Sequence, residues 1–423
     1  MENSPLTLFL LKCNRQNNDA NAQHLGVRIA IISTDYPPMR SSAAVQLQDL
    51  AQELVRQGQK PAMIVPAGSS RKPWTTELLD GVEVLRLAAP RMKDVGFSRR
   101  AVAEMLMPFA MFYGMLRNGI RFGQWDAVVW YSPPIFFGPL VSILKRSSRC
   151  RTYLILRDIF PEWARDLGLL RKGPAYYFLR SVALYQYALA DTIGVQTASN
   201  SSYLQNWSKL PGRHLEVLQN WLAQAPLSTS SIRIANTPLA SRKIFVYVGN
   251  MGVAQGMDIL IELADNFRHR QDVGFLFVGR GTAVPRLRAS VADRGLDNTI
   301  FYDEVDSREM PGLLAQCHSG LLALDPRHKT HNIPGKFLTY MRAGLPVLAR
   351  INPGTDLARI IESECVGFAY VGNSVSELRS LAEKLVDDES ERNQMSLNGL
   401  ALGERMFSPT VAANQILAAL SRG

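Results

Sequence analysis

The chain has 423 residues, 47% of them hydrophobic and 20% charged, a balance that excludes a disordered or fibrous protein and leaves room for two cores. Its formal net charge of +10 directs it toward anionic partners: nucleic acid, acidic lipid headgroups or phosphate-bearing small molecules. Cys13, Cys150, Cys317 and Cys365 stand far apart with no Cys-x-x-Cys pair, which argues against a zinc site or a disulfide framework and for a reducing cytoplasm.

Residues 1–26 read as a loose extension: the apolar run from Leu6 to Leu11 lacks a basic flank and a small-residue cleavage site. No window reaches the length of a membrane-spanning helix, so any membrane contact is expected to be peripheral. Folded sequence opens with a β-branched run from Val27, followed by the polar loop Asp35, Tyr36, Pro37, Pro38, Met39, Arg40, Ser41. Leu47, Leu50, Ala51, Leu54 and Val55 then recur at helical spacing, and a second strand follows from Pro61. Strand, loop, helix, strand is the start of a parallel α/β unit. Further strands are predicted near 82–87, 127–130, 152–156 and 192–195, with helices around 100–116, 135–145 and 175–190. That assigns 27–222 to one domain.

Residues 223–241 have the Ala, Pro, Ser and Thr content of a linker. A second α/β series occupies 242–408, and a last helix from Pro409, in 409–423, is expected to pack back on the first domain. Three strand ends in this second series open into glycine-containing turns, where backbone N–H groups can face a phosphate. They are Gly249, Asn250, Gly252, Gln255 and Gly256; Gly279, Arg280 and Gly281; and Asn332, Ile333, Pro334, Gly335 and Lys336. Arg280 offers a bidentate phosphate grip and Lys336 a charge in the first turn of a helix. A dehydrogenase fingerprint fails, because Val284 occupies its last glycine position. His328 and His331 lack a neighbouring carboxylate or cysteine and do not make a metal site. No nucleic-acid module is recognisable.

In the first domain Asp158 and Glu162 follow a strand and flank Pro161. They read either as acceptor-activating carboxylates or as the cap and first turn of a helix. The Tyr36, Pro37, Pro38, Arg40, Ser41 loop reads as acceptor-side. Arg99 and Arg100, then Met105, Leu106, Phe109, Phe112 and Leu116, then Arg117 and Arg121, form an apolar segment bracketed by arginines, suited to an anionic membrane surface. Pro108 interrupts it, and the alternative is an ordinary core helix.

The Tyr36-Pro-Pro loop, Asp158 to Glu162, Gln196 to Ser199, Leu218 to Trp221, the turns at Gly249 and Gly279, and the segment from Pro334 to Pro346 together resemble the family-4 retaining glycosyltransferases of the GT-B fold. The resemblance runs from Val27 to the C-terminus, and within the family it is nearest the bacterial O-antigen and capsule branch, including N-acetyl-L-fucosamine transferases. It implies an α/β architecture of two Rossmann-like doubly wound domains facing across a cleft. It also implies a UDP-sugar donor on the second domain, an undecaprenyl-diphosphate-linked saccharide on the first, retention of configuration, and neither metal nor cofactor. By that analogy Arg280 and Lys336 neutralise the departing diphosphate, with Asp158 and Glu162 on the acceptor. The enzyme would sit at the cytoplasmic, inner face of the plasma membrane. The chain departs from the pattern where His331 and Thr339 replace two glutamates, and where Gln255 replaces a lysine. The missing carboxylates fit a modified donor sugar; they also keep open a nucleotide-sugar epimerase of the same architecture, or a non-catalytic nucleotide-sugar-binding scaffold.

Overall fold

The computed structural model describes residues 26–39, 41–67, 72–92, 95–166, 168–252, 255–325 and 333–422. Two sheets organise them. The first comprises β1 (Arg28–Ile32), β2 (Lys60–Pro66), β3 (Trp74–Leu79), β4 (Val82–Leu87), β5 (Ala127–Ser132), β6 (Arg151–Leu156), β7 (Thr192–Val195) and β8 (His214–Val217), ordered β3-β4-β2-β1-β5-β6-β7-β8. Every pairing is parallel except β3 with β4. The second comprises β9 (Lys243–Val248), β10 (Val273–Val278), β11 (Thr299–Tyr302), β12 (Ser319–Ala323), β13 (Val347–Arg350) and β14 (Gly367–Tyr370), all parallel, ordered β11-β10-β9-β12-β13-β14. Strands β5 and β10 are buried along their whole length, as strands covered by helices on both faces must be.

In each sheet the chain steps outward on one side and then returns to the other side of its first strand, which puts the topological switch between β1 and β5 and between β9 and β12. Ligands of such sheets bind beyond the carboxyl ends of the strands at the switch.

Several elements lie outside the sequence expectation. The β3–β4 hairpin turns through Asp80 (φ 50°) and Gly81 (φ 80°), both left-handed, and β3 is mostly exposed, so it carries no apolar alternation to read. Strands β8 and β14 were not expected. The helix Phe97–Asn118 runs unbroken through Pro108, correcting the predicted interruption. The linker also needs correction at its end: Ile232, Ile234 and Leu239 are buried in the core of the second sheet with Val246 and Leu313, so only the residues before them make the crossing.

The final helix Pro409–Leu420 begins at the Ser408 cap and places Ala412, Ala413 and Ile416 in one core with Leu47, Leu50 and Trp221 of the first sheet. The crossing is fastened beside it: Trp221 Nε1 donates to the Gln46 carbonyl at 2.6 Å and the Ala223 N–H donates to Asp49 Oδ2 at 2.8 Å. Burial raises the Asp49 carboxyl to about 6, against the Ala223 N–H and Arg342, which lower it. A carboxyl raised by folding stabilises fully below its unfolded value near 3.9 and loses that contribution as pH climbs through about 6. The wild type is therefore expected to melt higher at pH 5 than at 7.5. Asp49→Asn keeps the acceptor without the charge, and is expected to gain about 1–2 kcal/mol at pH 7.5 once partial exposure is allowed for. Thermal melts at both pH values check this; an Asn variant less stable than wild type at pH 7.5 contradicts it.

Candidate active site

At the switch of the second sheet, the loop after β9 and the segment entering the helix Gly335–Arg342 lie side by side. Lys336 connects them: its Nζ sits 4.7 Å from the ring centroid of buried Tyr247 on β9. Its Cε lies 3.8 Å from where a side chain on Gly249 would begin. At that ordinary contact distance a side chain would only touch the lysine; Gly249 serves its turn through its backbone, φ 109°. Tyr247 is itself tied down, its hydroxyl donating to the Asn250 carbonyl at 2.8 Å. Burial lowers Lys336 to about 8, and among the described residues no carboxylate pairs with it. A desolvated ammonium of this kind gains most from an arriving anion.

Among the described residues the helix Gly335–Arg342 starts at Pro334 with no side-chain cap, and none of them comes within 4 Å of where a side chain on Gly335 would begin. Its first N–H groups and positive dipole end therefore face outward next to Lys336. Thr339, one turn on, bonds back to the Gly335 carbonyl through its hydroxyl at 3.3 Å. Ile333 is buried, whereas His331 and Asn332 lie outside the described residues. Tyr340, which the sequence reading did not single out, seats the helix: its hydroxyl donates to the Val246 and Leu321 carbonyls, at 3.1 and 3.2 Å, and accepts from the Val248 N–H at 3.1 Å. It is wedged between β9 and β12 and so places Lys336 relative to both.

The other two glycine turns behave differently from the expected phosphate cradle. The Gly249 N–H donates to Val278, the Met251 N–H to Arg280 and the Gly279 N–H to Tyr302, while the Gly252 N–H is taken by Gln255 Oε1 at 2.9 Å. Gly279 (φ 145°) and Gly281 (φ 151°) let the turn after β10 press on the backbone at Gly249 and Met251. Gly256 (φ 55°) similarly lets its turn approach Asp325. These glycines serve loop-on-loop packing, which corrects the reading that all three turns present free amides. Arg280 is 80% exposed in its side chain and pairs with Glu304 at 3.2 Å, an exposed pair worth about 0–1 kcal/mol and so readily exchanged.

At the switch of the first sheet, the loop after β1 splits the acceptor-side set. Tyr36 is buried in the core, 1% exposed, so it supports the loop from beneath rather than lining a site. Ser41 caps the helix Ser42–Arg56 by accepting from Ala44 N at 3.2 Å. Pro38 is exposed, Pro37 is half-buried with its carbonyl held by Arg86, and Arg40 lies outside the described residues.

Asp158 and Glu162 follow β6. Glu162 opens the short helix Glu162–Asp166, and its Oε2 is buried with no hydrogen-bond partner among the described residues. Arg180 stands 3.7 Å from the other oxygen. Burial outweighs the lowering from its helix position and from Arg180, so the carboxyl is raised. Such a carboxylate is short of donors and suited to receive one from a hydroxyl. Beside Asp158, Arg157 is fully buried and bonds the Leu218 carbonyl at 2.5 Å while lying over Trp221; it braces the crossing.

The carboxyl edges of the two sheets meet beside these groups. Gln196 Nε2 donates to the Ile333 carbonyl at 3.2 Å, and Ser199 N–H donates to Asp356 Oδ2 at 3.1 Å. The Gln196 segment, read from sequence only as part of the resemblance, is thus a direct strut between the loop after β7 and the Lys336 helix.

Residues 242–388 match the family model described as Glycosyl transferases group 1. The chain is 23% identical over 316 residues to the probable glycosyltransferase WbjE of Pseudomonas aeruginosa, covering 74% of this chain and 77% of that one. It is 26% identical to the putative colanic acid biosynthesis glycosyl transferase WcaI of Escherichia coli, over 56% and 60% of the two chains. Among solved structures, Anabaena HepE in complex with UDP and glucose superposes with a TM-score of 0.61 at 16% identity, over 93% of this chain and 99% of that one. At that identity the likeness speaks for the fold, and with the two facing sheets it is GT-B.

Proposed function

Residues 242–388 form a group 1 glycosyltransferase domain, and from that premise we propose that this GT-B enzyme transfers a sugar from a UDP-sugar to a lipid-linked saccharide during surface-polysaccharide assembly, with retention and without a metal. The observation that carries the donor assignment is Lys336: a desolvated cation beside an uncapped helix N-terminus, at the switch point between β9 and β12. Two positive elements converge where a diphosphate would sit, and HepE carries UDP and glucose in the same fold.

In this reading the bond between the sugar anomeric carbon and the diphosphate oxygen breaks first. Lys336, the helix N-terminus and a released Arg280 stabilise the charge that develops on the leaving oxygen. The acceptor hydroxyl attacks from the same face, guided by Glu162 as hydrogen-bond acceptor and with Asp158 nearby, and its proton passes to the departing phosphate. Thr339, where the family pattern that the sequence resembles has a glutamate, spares a deoxy or N-acetylated sugar from facing an unpaired charge, which fits a modified hexosamine such as N-acetyl-L-fucosamine.

The acceptor reading draws on the outer face of the first domain. Met107, Met111 and Met115 of the helix Phe97–Asn118 are buried, yet Leu106, Phe109, Tyr113 and Leu116 make a second, exposed stripe on it. Tyr177, Phe178, Leu184 and Tyr185 are exposed on the helix Pro174–Leu189. With Arg99, Arg100, Arg117 and Arg180 also exposed, this surface suits an anionic leaflet where a lipid-linked acceptor resides. Among the described residues no helix is long and apolar enough to cross a membrane.

The test is turnover of a panel of UDP-sugars with and without EDTA, read as UDP release with membrane extract as acceptor, for the wild type and Glu162→Gln. UDP release that survives EDTA and falls about 100-fold or more in the variant is expected. Failure to bind or turn over any uridine nucleotide would sink the donor assignment.

A further inference from the structure

A cavity of about 520 Å³ opens at the opposite end of the first sheet from the active site, lined by Lys145, Arg146, Arg149, Cys150, Arg151 and Asp191 among others. Arg151 begins β6, whereas Asp158 lies just past its end; a strand of that length puts them roughly 20 Å apart. Nothing at this end takes part in sugar transfer.

The charges around the cavity are unevenly matched. Lys145 Nζ bonds Asp191 Oδ1 at 2.8 Å and the Leu189 carbonyl at 2.9 Å, and Arg213 approaches the same carboxylate at 3.5 Å. Asp191 is therefore saturated by two cations. Arg146, Arg149 and Arg151 remain, and among the described residues none of the three has a side-chain hydrogen bond or ion pair. Arg270, by comparison, pairs with both Asp272 and Asp387. Three unpaired guanidinium groups around one concavity repel one another unless an anion lies between them. Arg149 adds a backbone signal. It ends the helix Gly138–Ser148 in the left-handed conformation, φ 50°, where glycine is the least strained residue. An arginine there keeps a cation at the cavity rim at a conformational cost.

We propose that this cavity is a second, non-catalytic anion site that takes a phosphate group, presented either as a phospholipid headgroup or as free phosphate. Guanidinium forks match phosphate oxygens in geometry as well as charge. The exposed Leu184 and Tyr185 of the helix that ends at the cavity allow the ligand to arrive on a membrane surface.

The experiment uses the full chain and a variant carrying Arg146→Gln, Arg149→Gly and Arg151→Gln. Binding of inorganic phosphate is measured by calorimetry, and binding to phosphatidylglycerol-containing phosphatidylcholine vesicles by flotation. UDP binding by the same preparations reports on the fold and on the separate donor site. The expected result is a loss of about tenfold or more for one probe, with UDP binding unchanged. Loss on vesicles alone identifies the headgroup as source; loss with inorganic phosphate identifies the free ion. If the triple variant fails to bind UDP, the single Arg149→Gly variant, whose backbone suits glycine, is expected to show a severalfold loss. Wild type binding neither probe, or variants binding both as wild type does, would overturn the proposal.

Discussion

Replacing Lys336 with alanine is expected to reduce donor turnover by about 100- to 1,000-fold, the effect of removing one preorganised charge from the leaving group. The lysine stands over Tyr247 and, among the described residues, has no carboxylate partner, so in the free protein its charge is held at a cost that a diphosphate would relieve. UDP affinity is expected to fall less than turnover, because charge on the leaving oxygen grows toward the transition state. The pH dependence has a definite sign. The free lysine, lowered to about 8 by burial, loses its proton above that pH and must then regain it when the diphosphate binds. UDP binding should therefore weaken as pH rises above about 8, with proton uptake visible as a buffer-dependent enthalpy. Lys336→Arg is not expected to restore turnover, since a planar guanidinium fork does not reproduce the compact charge that the ammonium holds over the Tyr247 ring. A Lys336→Ala enzyme with turnover within threefold of wild type (~0.6 kcal/mol) would remove the lysine from the mechanism.

Gly279→Ala is expected to lower stability by about 3–5 kcal/mol, a fall in melting temperature on the order of 10 °C. The added methyl group would overlap the carbonyl oxygen of Gly249, which is backbone and cannot swing aside, and the position has φ 145°. Gly281→Ala would meet the Met251 carbonyl in the same way. Because Gly249 also lies in contact range of Lys336, the damage should reach the donor site: UDP binding is expected to fall along with the melting temperature. Gly335→Ala is the control, since open space lies beside that residue. Calorimetric melts of the three variants decide it; a Gly279→Ala protein melting within about 2 °C of wild type would contradict the packing account.

The packing of the last helix on the first sheet is a tertiary contact, whereas β-branched runs and strand-end turns were enough to establish two α/β units, a last helix from Pro409 and the placing of Lys336 at a helix start. These are local signals, written within about ten to twenty residues by hydrophobic period and turn chemistry. The same signals also located Glu162 after β6, although its two readings remained open. The exposed hairpin strand β3 left no such trace, because none of its residues is buried in the core.

What the three glycine turns do was decided by tertiary contact. Alike in sequence, they separate in space into a helix N-terminus at Gly335 and two turns in which the Gly249, Met251, Gly252 and Gly279 amides are already bonded within the protein. Tyr36 and Pro38, two residues apart, end in the core and at the surface. The Gln196–Ile333 strut joins segments 137 residues apart, and the Asp191 cavity sets the neighbouring arginines Arg146, Arg149 and Arg151 against the end of the helix Pro174–Leu189. Sequence proximity determines backbone conformation, whereas free amides, desolvated charges and missing partners depend on which distant groups the packed chain brings within a few ångströms.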